Sequence, residues 1–519
     1  MSSGRLLDLV VVLLYMAGMT YVGLRFAGRQ TSTERYFVAK RSIPAWAIGM
    51  SLFATIVSSV TFIAYPGSGY SGDWSNLIPG LMMLAVVGLS GFVIIPFYRE
   101  AVGMSAYEYF GKRFGRGARL YSSLAFALTH FTKMGFVIYL VALTITSLTG
   151  WDLYWVLVST GIVTVFYSVV GGLEAVIWAD VVQGFIMFAA ILICLGYLFF
   201  LSPGGPAAAL GLAWQNGKFS LGSLEPDLSK PTVLALATYG LFWYLQKYAA
   251  DQTMVQRYLV AASHRKAIHG ATFGAALCIP VWVLFMLIGS LVWSFYRLSG
   301  EALPVHITKA DQVFPHFVGT HIPAGVAGLF IASMLAAAMS TLASDLNCLA
   351  VVGTEDFYRR FKPDSTDRQR LRFGKLCVTA TGFLAVLSGL ALAQAQGAAL
   401  SNWFTATSIV SGGLAGLFLL AFLSTRATAR GAWTGIVASI LFTAWATLTV
   451  GARPLVDLGK YNFPLHDYMI GAVGHVVLVA VGYLASLVQV GEQPGSADLT
   501  LWGWFEKRKA ARRMSQVGG

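Results

Sequence analysis

Hydroxyl-bearing residues follow one helical face within an apolar stretch of the sequence. Ala337, Ser340, Thr341 and Ser344 are spaced i, i+3, i+4 and i+7, which places them on one side of a helix. Their oxygens, together with backbone carbonyls, suit a sodium ion, a hard cation that neutral ligands hold weakly enough to release. A stripe of small and hydroxylated residues equally suits close packing between helices, so the spacing alone leaves both interpretations open.

A second polar group lies in the apolar segment SLFATIVSSVTFIAYPGSGY (51–70). Ser58, Ser59 and Thr61 are in its middle, and a proline and two glycines follow them. In one interpretation the hydroxyls bond back to carbonyls of the preceding turn, and the proline and glycines end an ordinary helix. In the other the helix is interrupted here, and its freed carbonyls line a cavity.

Ionisable side chains within apolar stretches are the third feature. A charged group in lipid costs about 2.5–3.5 kcal/mol on insertion scales, so each is a functional candidate. Asp180 requires a lysine or a cation beside it, in a structural ion pair or in an ion site. Lys133 has little polar company in its own stretch, which favours Asp180 or an anionic solute as its partner. Lys247 either extends to the membrane surface or faces the solute, and Asp345 follows the hydroxyl stripe.

The elements that position these residues are membrane-spanning helices. Of the 519 residues, 56% are hydrophobic and 11% are charged, whereas soluble proteins carry about 25% charged residues. This composition excludes soluble enzymes, disordered chains and nucleic-acid-binding modules. A spanning helix needs about 20 apolar residues. We predict thirteen spans, numbered 0 to 12, at 6–26, 45–70, 74–97, 121–148, 152–171, 174–201, 232–256, 270–296, 322–352, 374–395, 401–424, 429–450 and 466–490.

The orientation of these spans follows from the distribution of lysine and arginine between the connecting segments. If the N-terminus lies outside and the C-terminus inside, most of the 36 basic residues fall in inward loops, Arg257 after the span 232–256 among them, and in the C-terminal tail. The net charge of +13 is then explained by topology, without a nucleic-acid partner. The segment 6–26 has no small-residue cleavage site after it, so we predict a retained helix.

Motifs of catalysis and metal chemistry are absent from the sequence. It contains no glycine-rich phosphate loop, no HExxH or GxSxG pattern, and no pair of histidines at ligand spacing. The four cysteines lie in apolar stretches and form no CxxC pair, which argues against a disulfide framework or a zinc site. We therefore expect a protein that is not an enzyme.

Five segments together resemble the sodium:solute symporter family, which includes bacterial proline, sialic acid and galactose carriers and animal sodium–glucose transporters. The resemblance runs in order from span 0 to about span 10. The segments are SLFATIVSSVTFIAYPGSGY (51–70), SAYEYFGKRFG (105–115), YSVVGGLEAVIWADVVQ (167–183), DQTMVQRYL (251–259) and AAAMSTLASDLNC (336–348).

The resemblance implies an all-α membrane protein with a leucine-transporter-type inverted repeat, spans 1–5 and 6–10, in which the first helix of each repeat is broken at mid-membrane. The whole chain would form one transporter domain. Its parts would be an extra N-terminal helix and loop (1–44), the first repeat (45–201), the second repeat (232–424), two C-terminal helices (425–490) and a basic cytoplasmic tail (491–519).

The resemblance also implies a sodium site between spans 1 and 8, built from carbonyls of the former and hydroxyls of the latter. Carried onto this sequence, the ligands are the carbonyls of Ala54, Val57 and Ala337 and the hydroxyls of Ser340 and Thr341.

Some relatives, the sialic acid carriers among them, use a further sodium site, for which Asp180, Ser340 and Ser344 match in this sequence. Ala343 stands where the family pattern has another hydroxyl, so the sequence leaves open whether a second sodium ion binds.

The solute would bind at the breaks of spans 1 and 6. A basic residue on span 3 holds the solute carboxylate in the sialic acid carriers, and Lys133 is its equivalent here. The sugar carriers place amide and acidic groups where this sequence has Thr61 and Gly80, which weighs against a hexose. The expected solute-binding residues are Ser58, Ser59, Thr61, Lys133, Tyr244, Lys247 and Ser408.

We therefore expect a sodium-coupled secondary active symporter that imports an organic anion such as a sialic acid, sugar acid or carboxylate. A symporter for a neutral sugar, polyol or amino acid, or an uncoupled facilitator of the same fold, is the alternative. Sodium would be the coupling ion, with no other cofactor. We expect a monomeric transport unit that passes several times through the cell membrane, a bacterial inner membrane, and contacts only lipid, sodium and solute.

Overall fold

The computed structural model describes residues 3–305, 307–394, 409, 412–488 and 495–517. Within these ranges the chain is helical, and one isolated bridge pairs Ile43 with Ala261. The helices are α1 (Ser3–Ala27), α2 (Thr33–Val38), α3 (Ala45–Ile56), α4 (Ser59–Ser71), α5 (Leu77–Leu89), α6 (Ile95–Ala101), α7 (Glu108–Thr149), α8 (Leu153–Leu201), α9 (Gly205–Gln215), α10 (Val233–Ala250), α11 (Gln252–Leu259), α12 (His264–Ser299), α13 (Val313–His321), α14 (Val326–Val351), α15 (Arg359–Phe361), α16 (Asp367–Gln394), α17 (Leu414–Leu423), α18 (Ala429–Thr449), α19 (Met469–Val488) and α20 (Leu501–Val517).

Several of these helices are long and apolar enough to cross a membrane. In the described part of the chain nine helices pass this test singly, and α3 with α4 passes as a pair bent by 63°. Each predicted span for which the structure describes residues coincides with all or part of a helix. Of the span 401–424 the structure describes residues 409 and 412–424, which contain α17. The total of thirteen spans and the orientation of the termini stay predictions.

Helix α8 contains two of the predicted spans, 152–171 and 174–201. At 1.5 Å per residue its 49 residues would extend far beyond the roughly 30 Å of a bilayer core if they formed one straight rod. Gly172 divides it, with φ 57° and ψ −162°, a conformation that a side chain would strain. The two predicted spans therefore correspond to the segments before and after this glycine.

The predicted span 232–256 is interrupted near its end. Helix α10 ends at Ala250, Asp251 adopts an extended backbone (φ −98°, ψ 122°), and α11 starts at Gln252. The carboxylate of Asp251 caps the new helix by accepting a hydrogen bond from the backbone amide of Thr253 at 2.8 Å. The family resemblance implies a break in this span, and a break is present, but it lies near the end of the predicted span and not at its middle.

Helix α14, which carries the hydroxyl stripe, lies at the centre of the molecule. It packs on α8, α1, α7 and α3, and almost all of its side chains are buried. Small residues also bring α3 and α12 close together, because Gly49 of α3 lies directly against Gly270 and Gly274 of α12. A Cβ added at Gly49 would lie 2.9 Å from the carbonyl oxygen of Gly270, and one added at Gly274 would lie 2.8 Å from that of Gly49. Because α14 is buried, its polar residues face the interior of the molecule.

Candidate functional site

The first broken helix is one side of the candidate site. Helix α3 ends at Ile56, Val57 (φ −80°, ψ 97°) and Ser58 (φ −96°, ψ 173°) are extended, and α4 begins at Ser59 at 63° to α3. Of the two interpretations of this segment, the discontinuous helix is the one observed.

The break leaves the carbonyl of Ala54 without its usual helical partner. In a continuous helix the amide of Ser58 would donate to this carbonyl, but it donates instead to Oγ1 of Thr61 at 3.2 Å. The hydroxyl of Ser340, from α14, donates to the Ala54 carbonyl at 2.8 Å. A hydroxyl–carbonyl contact therefore joins α14 to the broken helix.

Four of the five predicted sodium ligands lie together here. The hydroxyls of Ser340 and Thr341 both donate to the carbonyl of Ala337, at 3.1 and 3.0 Å, and Ser340 also reaches the carbonyl of Ala54. All are buried, and the fifth predicted ligand, Val57, is the buried residue that directly follows the end of α3. If the hydroxyl hydrogens rotate away, these neutral oxygens turn their lone pairs inward, as a hard cation requires.

The buried carboxylate of Asp180 has an arginine as its partner. Nη2 of Arg257 lies 3.2 Å from Oδ2 of Asp180, both side chains are fully buried, and Ser51 donates to the same oxygen at 2.5 Å. The expected cation beside Asp180 is present, but the loop position assigned to Arg257 is wrong. Helix α11 carries this residue into the interior, directly after the break at Asp251.

Two residues predicted to bind a second sodium ion, Asp180 and Ser344, both contact Arg257. Ser344 accepts from Nη2 of Arg257 at 2.5 Å and lies 3.1 Å from the hydroxyl of Thr55. Oδ1 of Asp180 is buried and has no hydrogen-bond partner, which makes it an available oxygen for a cation. The hydroxyl of Ser340 is already part of the first set. The second ion therefore stays a prediction.

A cavity of about 390 Å³ lies beside the sodium ligands, within the size range of small-molecule sites. Thr341, a predicted sodium ligand, is part of its lining. Of the predicted solute-binding residues, Ser59 is buried outside the lining and Ser408 lies outside the described residues. The predicted residues that do line the cavity are Ser58, Thr61, Lys133, Tyr244 and Lys247.

An aromatic wall closes one side of this cavity. The ring of Trp282 stacks on Tyr65 with centroids 6.0 Å apart and lies against Gly80, where a Cβ would come within 2.6 Å of the indole. The glycine found where sugar carriers place a polar group therefore makes room for an indole ring. This arrangement provides an apolar face where hydrogen bonds to a hexose would be expected.

Two lysines of the cavity are paired with carboxylates behind them. Nζ of Lys133 lies 2.8 Å from Oδ2 of Asp345, and Nζ of Lys247 lies 2.5 Å from Oδ2 of Asp251. The carboxylates are buried, whereas about a third of the Lys133 side chain and a quarter of the Lys247 side chain are exposed. Of the two partners expected for Lys133, Asp180 is wrong, because it pairs with Arg257, and the anionic solute stays a prediction. Lys247 does not extend away from the site.

His130 is a cavity residue that the sequence analysis missed. It lies one turn before Lys133 on the same face of α7 and contacts both Asp345 and Asp251. The i, i+3 spacing of a histidine and a lysine inside an apolar span was the available signal.

Comparison with known proteins identifies the family to which this arrangement belongs. The model of the sodium:solute symporter family matches residues 36–439. The chain belongs to the sodium:solute symporter family. It is therefore a multi-pass membrane transporter and not an enzyme, as the sequence analysis predicts.

Two sodium-coupled sialic acid symporters are similar to this chain over most of its length. The sodium/sialic acid symporter NanT of Aliivibrio fischeri is 31% identical over 482 residues, which cover 92% of this chain and 93% of NanT. The solved substrate-bound, outward-open structure of a Na⁺-coupled sialic acid symporter, which reveals a novel Na⁺ site, is 28% identical with a TM-score of 0.86. The match covers 94% of this chain and 99% of that one.

A more distant structure shows the extent of the shared fold. Mhp1, a nucleobase-cation-symport-1 family transporter, matches with a TM-score of 0.57 at 16% identity, covering 87% of this chain and 93% of that protein. The leucine-transporter-type fold predicted for this symporter is confirmed.

Proposed function

We propose that this symporter uses sodium bound between α3 and α14 to import a small carboxylate-bearing solute of the sialic acid type. The observation that carries the proposal is the shared wall of the two sites. Thr341 belongs to the sodium set and also lines the cavity, and Ser58 lines the cavity at the break beside Val57. Sodium bound at the break would therefore order residues that contact the solute.

The charge of the cavity supports an anionic solute. Lys133 and Lys247 are exposed to it, whereas their carboxylate partners Asp345 and Asp251 are buried and absent from the lining. A carboxylate in the cavity would meet the donor side of both ion pairs. NanT and the solved sialic acid symporter carry a solute of this class, which agrees with the chemistry of the lining.

Coupling follows if each ligand favours the same conformation of the broken helix. Sodium would be coordinated by the carbonyls at the break, and the solute would fill the cavity beside them. If both ligands favour the same conformation, each raises the affinity for the other. One positive charge that crosses about 100 mV contributes roughly 2.3 kcal/mol, enough for about a 50-fold accumulation of solute. One sodium ion and one monoanion carry no net charge across the membrane. With a monoanion, two sodium ions would therefore be needed for this electrical contribution.

The direct test is uptake of radiolabelled sialic acid into proteoliposomes with and without an inward sodium gradient. We expect accumulation only with the gradient, and its loss in Ser340→Ala and Thr341→Ala. Ser333→Ala is the matched control, because Ser333 is equally buried in α14 but its hydroxyl bonds only the carbonyl of Phe330, at 2.7 Å. Uptake that is independent of sodium in all four proteins would reject coupling and favour the facilitator.

The solute class is tested separately by competition. Sialic acid, glucuronate and acetate represent anions, and N-acetylmannosamine and proline represent the alternative without net charge. Sodium-dependent competition by the anions supports the proposal, whereas competition by the neutral compounds alone would assign the transporter to neutral solutes.

The sodium stoichiometry rests on Asp180. If its unpartnered oxygen holds a second ion, uptake depends on sodium with a Hill coefficient above one, and Asp180→Asn lowers this coefficient to one. A coefficient of one in the unmodified protein would restrict coupling to the site at Ala54 and Ser340.

A further inference from the structure

A second cavity lies where the N-terminal part of α7 meets the end of α14. It has a volume of about 570 Å³ and is lined by residues of α7, of the π-helical segment Val352–Tyr358 that follows α14, and of α15. The predicted span 121–148 begins, and the predicted span 322–352 ends, directly beside this lining. These spans place the cavity at the membrane surface, on the side that the distribution of basic residues predicts to be cytoplasmic.

Two arginines of this cavity are paired with carboxylates that also line it. Nε of Arg119 donates to Oδ1 of Asp356 at 2.7 Å, and Nη1 of Arg359 donates to Oε2 of Glu355 at 3.0 Å. Both carboxylates are buried, whereas about a third of the Arg119 side chain and about half of the Arg359 side chain are exposed. The positive group of each pair is therefore more accessible than the negative group.

Arg119 is held in place from behind by a network of hydrogen bonds. Its partner Asp356 also accepts hydrogen bonds from the hydroxyls of Ser105 at 2.7 Å and Ser123 at 2.9 Å. Nη2 of Arg119 donates in addition to the carbonyl of Glu355 at 3.0 Å. A guanidinium group fixed in this way loses little conformational freedom when an anion binds to it.

The other two arginines of the lining are Arg116 and Arg360. Both are exposed, and neither forms an ion pair within the part of the chain that the structure describes. The third carboxylate of the lining, Glu108, accepts hydrogen bonds from three backbone amides just before α7 and lies 4.0 Å from Nζ of Lys112. With Lys112 included, the basic groups here exceed the carboxylates by two charges. Guanidinium groups present paired N–H donors that match phosphate oxygens, so the cavity suits a phosphate group.

An apolar ridge leads from the cavity along α7. Leu120 is part of the lining, and Leu124 and Leu128 follow it at i+4 and i+8, on the same side of the helix. Leu124 is 45% exposed and Leu128 is 37% exposed, within a segment predicted to span the membrane. Exposed leucines at this depth contact acyl chains. A lipid that lies on this ridge would therefore have its headgroup at the arginines.

We propose that this cavity binds the phosphate group of an anionic phospholipid such as phosphatidylglycerol, with one acyl chain on the ridge of Leu124 and Leu128. Basic pockets at the cytoplasmic ends of spanning helices recognise lipid headgroups in this way. A zwitterionic lipid carries an ammonium group that the two unpaired arginines would repel, so the site should distinguish lipids by their net charge. The inference does not depend on the solute or on sodium coupling.

The binding step is measured by native mass spectrometry of the purified, delipidated protein, with phosphatidylglycerol or phosphatidylcholine added at equal concentration. We expect the first phosphatidylglycerol to bind more tightly than phosphatidylcholine. Arg116→Gln and Arg360→Gln should each weaken the affinity for phosphatidylglycerol about fivefold, and together about 30-fold. The affinity for phosphatidylcholine should change less than twofold on this estimate, because the lost charges no longer oppose its ammonium group.

The matched control is Arg265→Gln combined with Lys266→Gln. These are two exposed basic residues at the start of α12, on the same predicted side of the membrane but outside the cavity lining. Their removal changes the net charge equally and should leave the first phosphatidylglycerol bound as before. An equal loss in this control would assign the binding to overall surface charge. Unchanged binding in the Arg116 and Arg360 double variant, with its melting temperature without lipid preserved, would also overturn the proposal.

The source of the phosphate is tested by competition with inorganic phosphate and glycerol 1-phosphate, which have no acyl chains. Neither should displace phosphatidylglycerol at comparable concentration, and Leu124→Ala should weaken the lipid about threefold. Leu143→Ala is the control for this substitution, since Leu143 is 42% exposed on the same helix but lies away from the ridge. Displacement by either small phosphate, or equal effects of the two leucine variants, would show that the cavity takes a free phosphate compound and not a lipid.

Discussion

Replacement of Ser340 by alanine removes one oxygen that links the two halves of the sodium site. The hydroxyl lies 2.8 Å from the carbonyl of Ala54 and 3.1 Å from that of Ala337, and the residue is fully buried. The substitution leaves the rest of the side chain unchanged, because alanine differs from serine only by the missing hydroxyl group. The variant therefore isolates the contribution of a single ligand.

The expected effect follows from the chemistry of a contact with a charged group. Such contacts contribute about 1.5–3 kcal/mol, and since 1.36 kcal/mol corresponds to a factor of ten, half-saturation by sodium should need about 10- to 150-fold more of the ion. Without sodium the Ala54 carbonyl loses its hydroxyl donor, which costs about 1–3 kcal/mol of stability for a buried acceptor. Both sodium affinity and the melting temperature should fall.

The assay combines two readouts on the same purified protein. Sodium-dependent thermal stabilisation reports binding, because a ligand of the native state raises stability with the logarithm of its concentration over the Kd. Sodium-dependent uptake in proteoliposomes reports coupling. Ser333→Ala should leave both unchanged, since its hydroxyl bonds within α14. An unaltered sodium requirement in a folded Ser340→Ala protein would refute the site.

Three further substitutions test other parts of the structure. Asp180→Asn should destabilise the protein by about 3–5 kcal/mol, because Arg257 is left as a buried unpaired charge; a melting temperature equal to that of the unmodified protein would contradict the pairing. Gly172→Ala should cost about 1–3 kcal/mol, since φ 57° with ψ −162° is a conformation that essentially only glycine adopts, and an unchanged unfolding midpoint would show that the break in α8 does not require glycine. Gly80→Ala should displace Trp282 and weaken solute binding while sodium affinity stays the same; equal solute affinity would show that the indole does not form the cavity wall.

The sequence predicts the spans well, because they depend on local properties, and it limits the segment 51–70 to two interpretations. Apolar length defines a span, and the hydroxyl of Thr61 gives the amide of Ser58 an alternative partner at the break. Two interpretations of the segment 51–70 were open from the sequence, and the family resemblance favoured the correct one. The grouping of Ala54 with Ser340 was also available only through that resemblance.

The ion pairs could not be predicted in the same way, because they join residues far apart in the chain. Lys133 pairs with Asp345 because of the way α7 and α14 pack, and no local pattern distinguishes that carboxylate from Asp180. Arg257 was assigned to an inward loop by the positive-inside rule, which describes basic residues near span ends. The rule fails for an arginine that a helix break turns into the interior.

The most direct test of the sodium site is a pair of structures of the purified protein, one determined in sodium and one in N-methylglucamine. Density for one ion between the carbonyls of Ala54 and Ala337 and the hydroxyls of Ser340 and Thr341, present in sodium and absent without it, is the expected result. A site without such density in saturating sodium, while uptake remains sodium-dependent, would show that the coupling ion binds elsewhere.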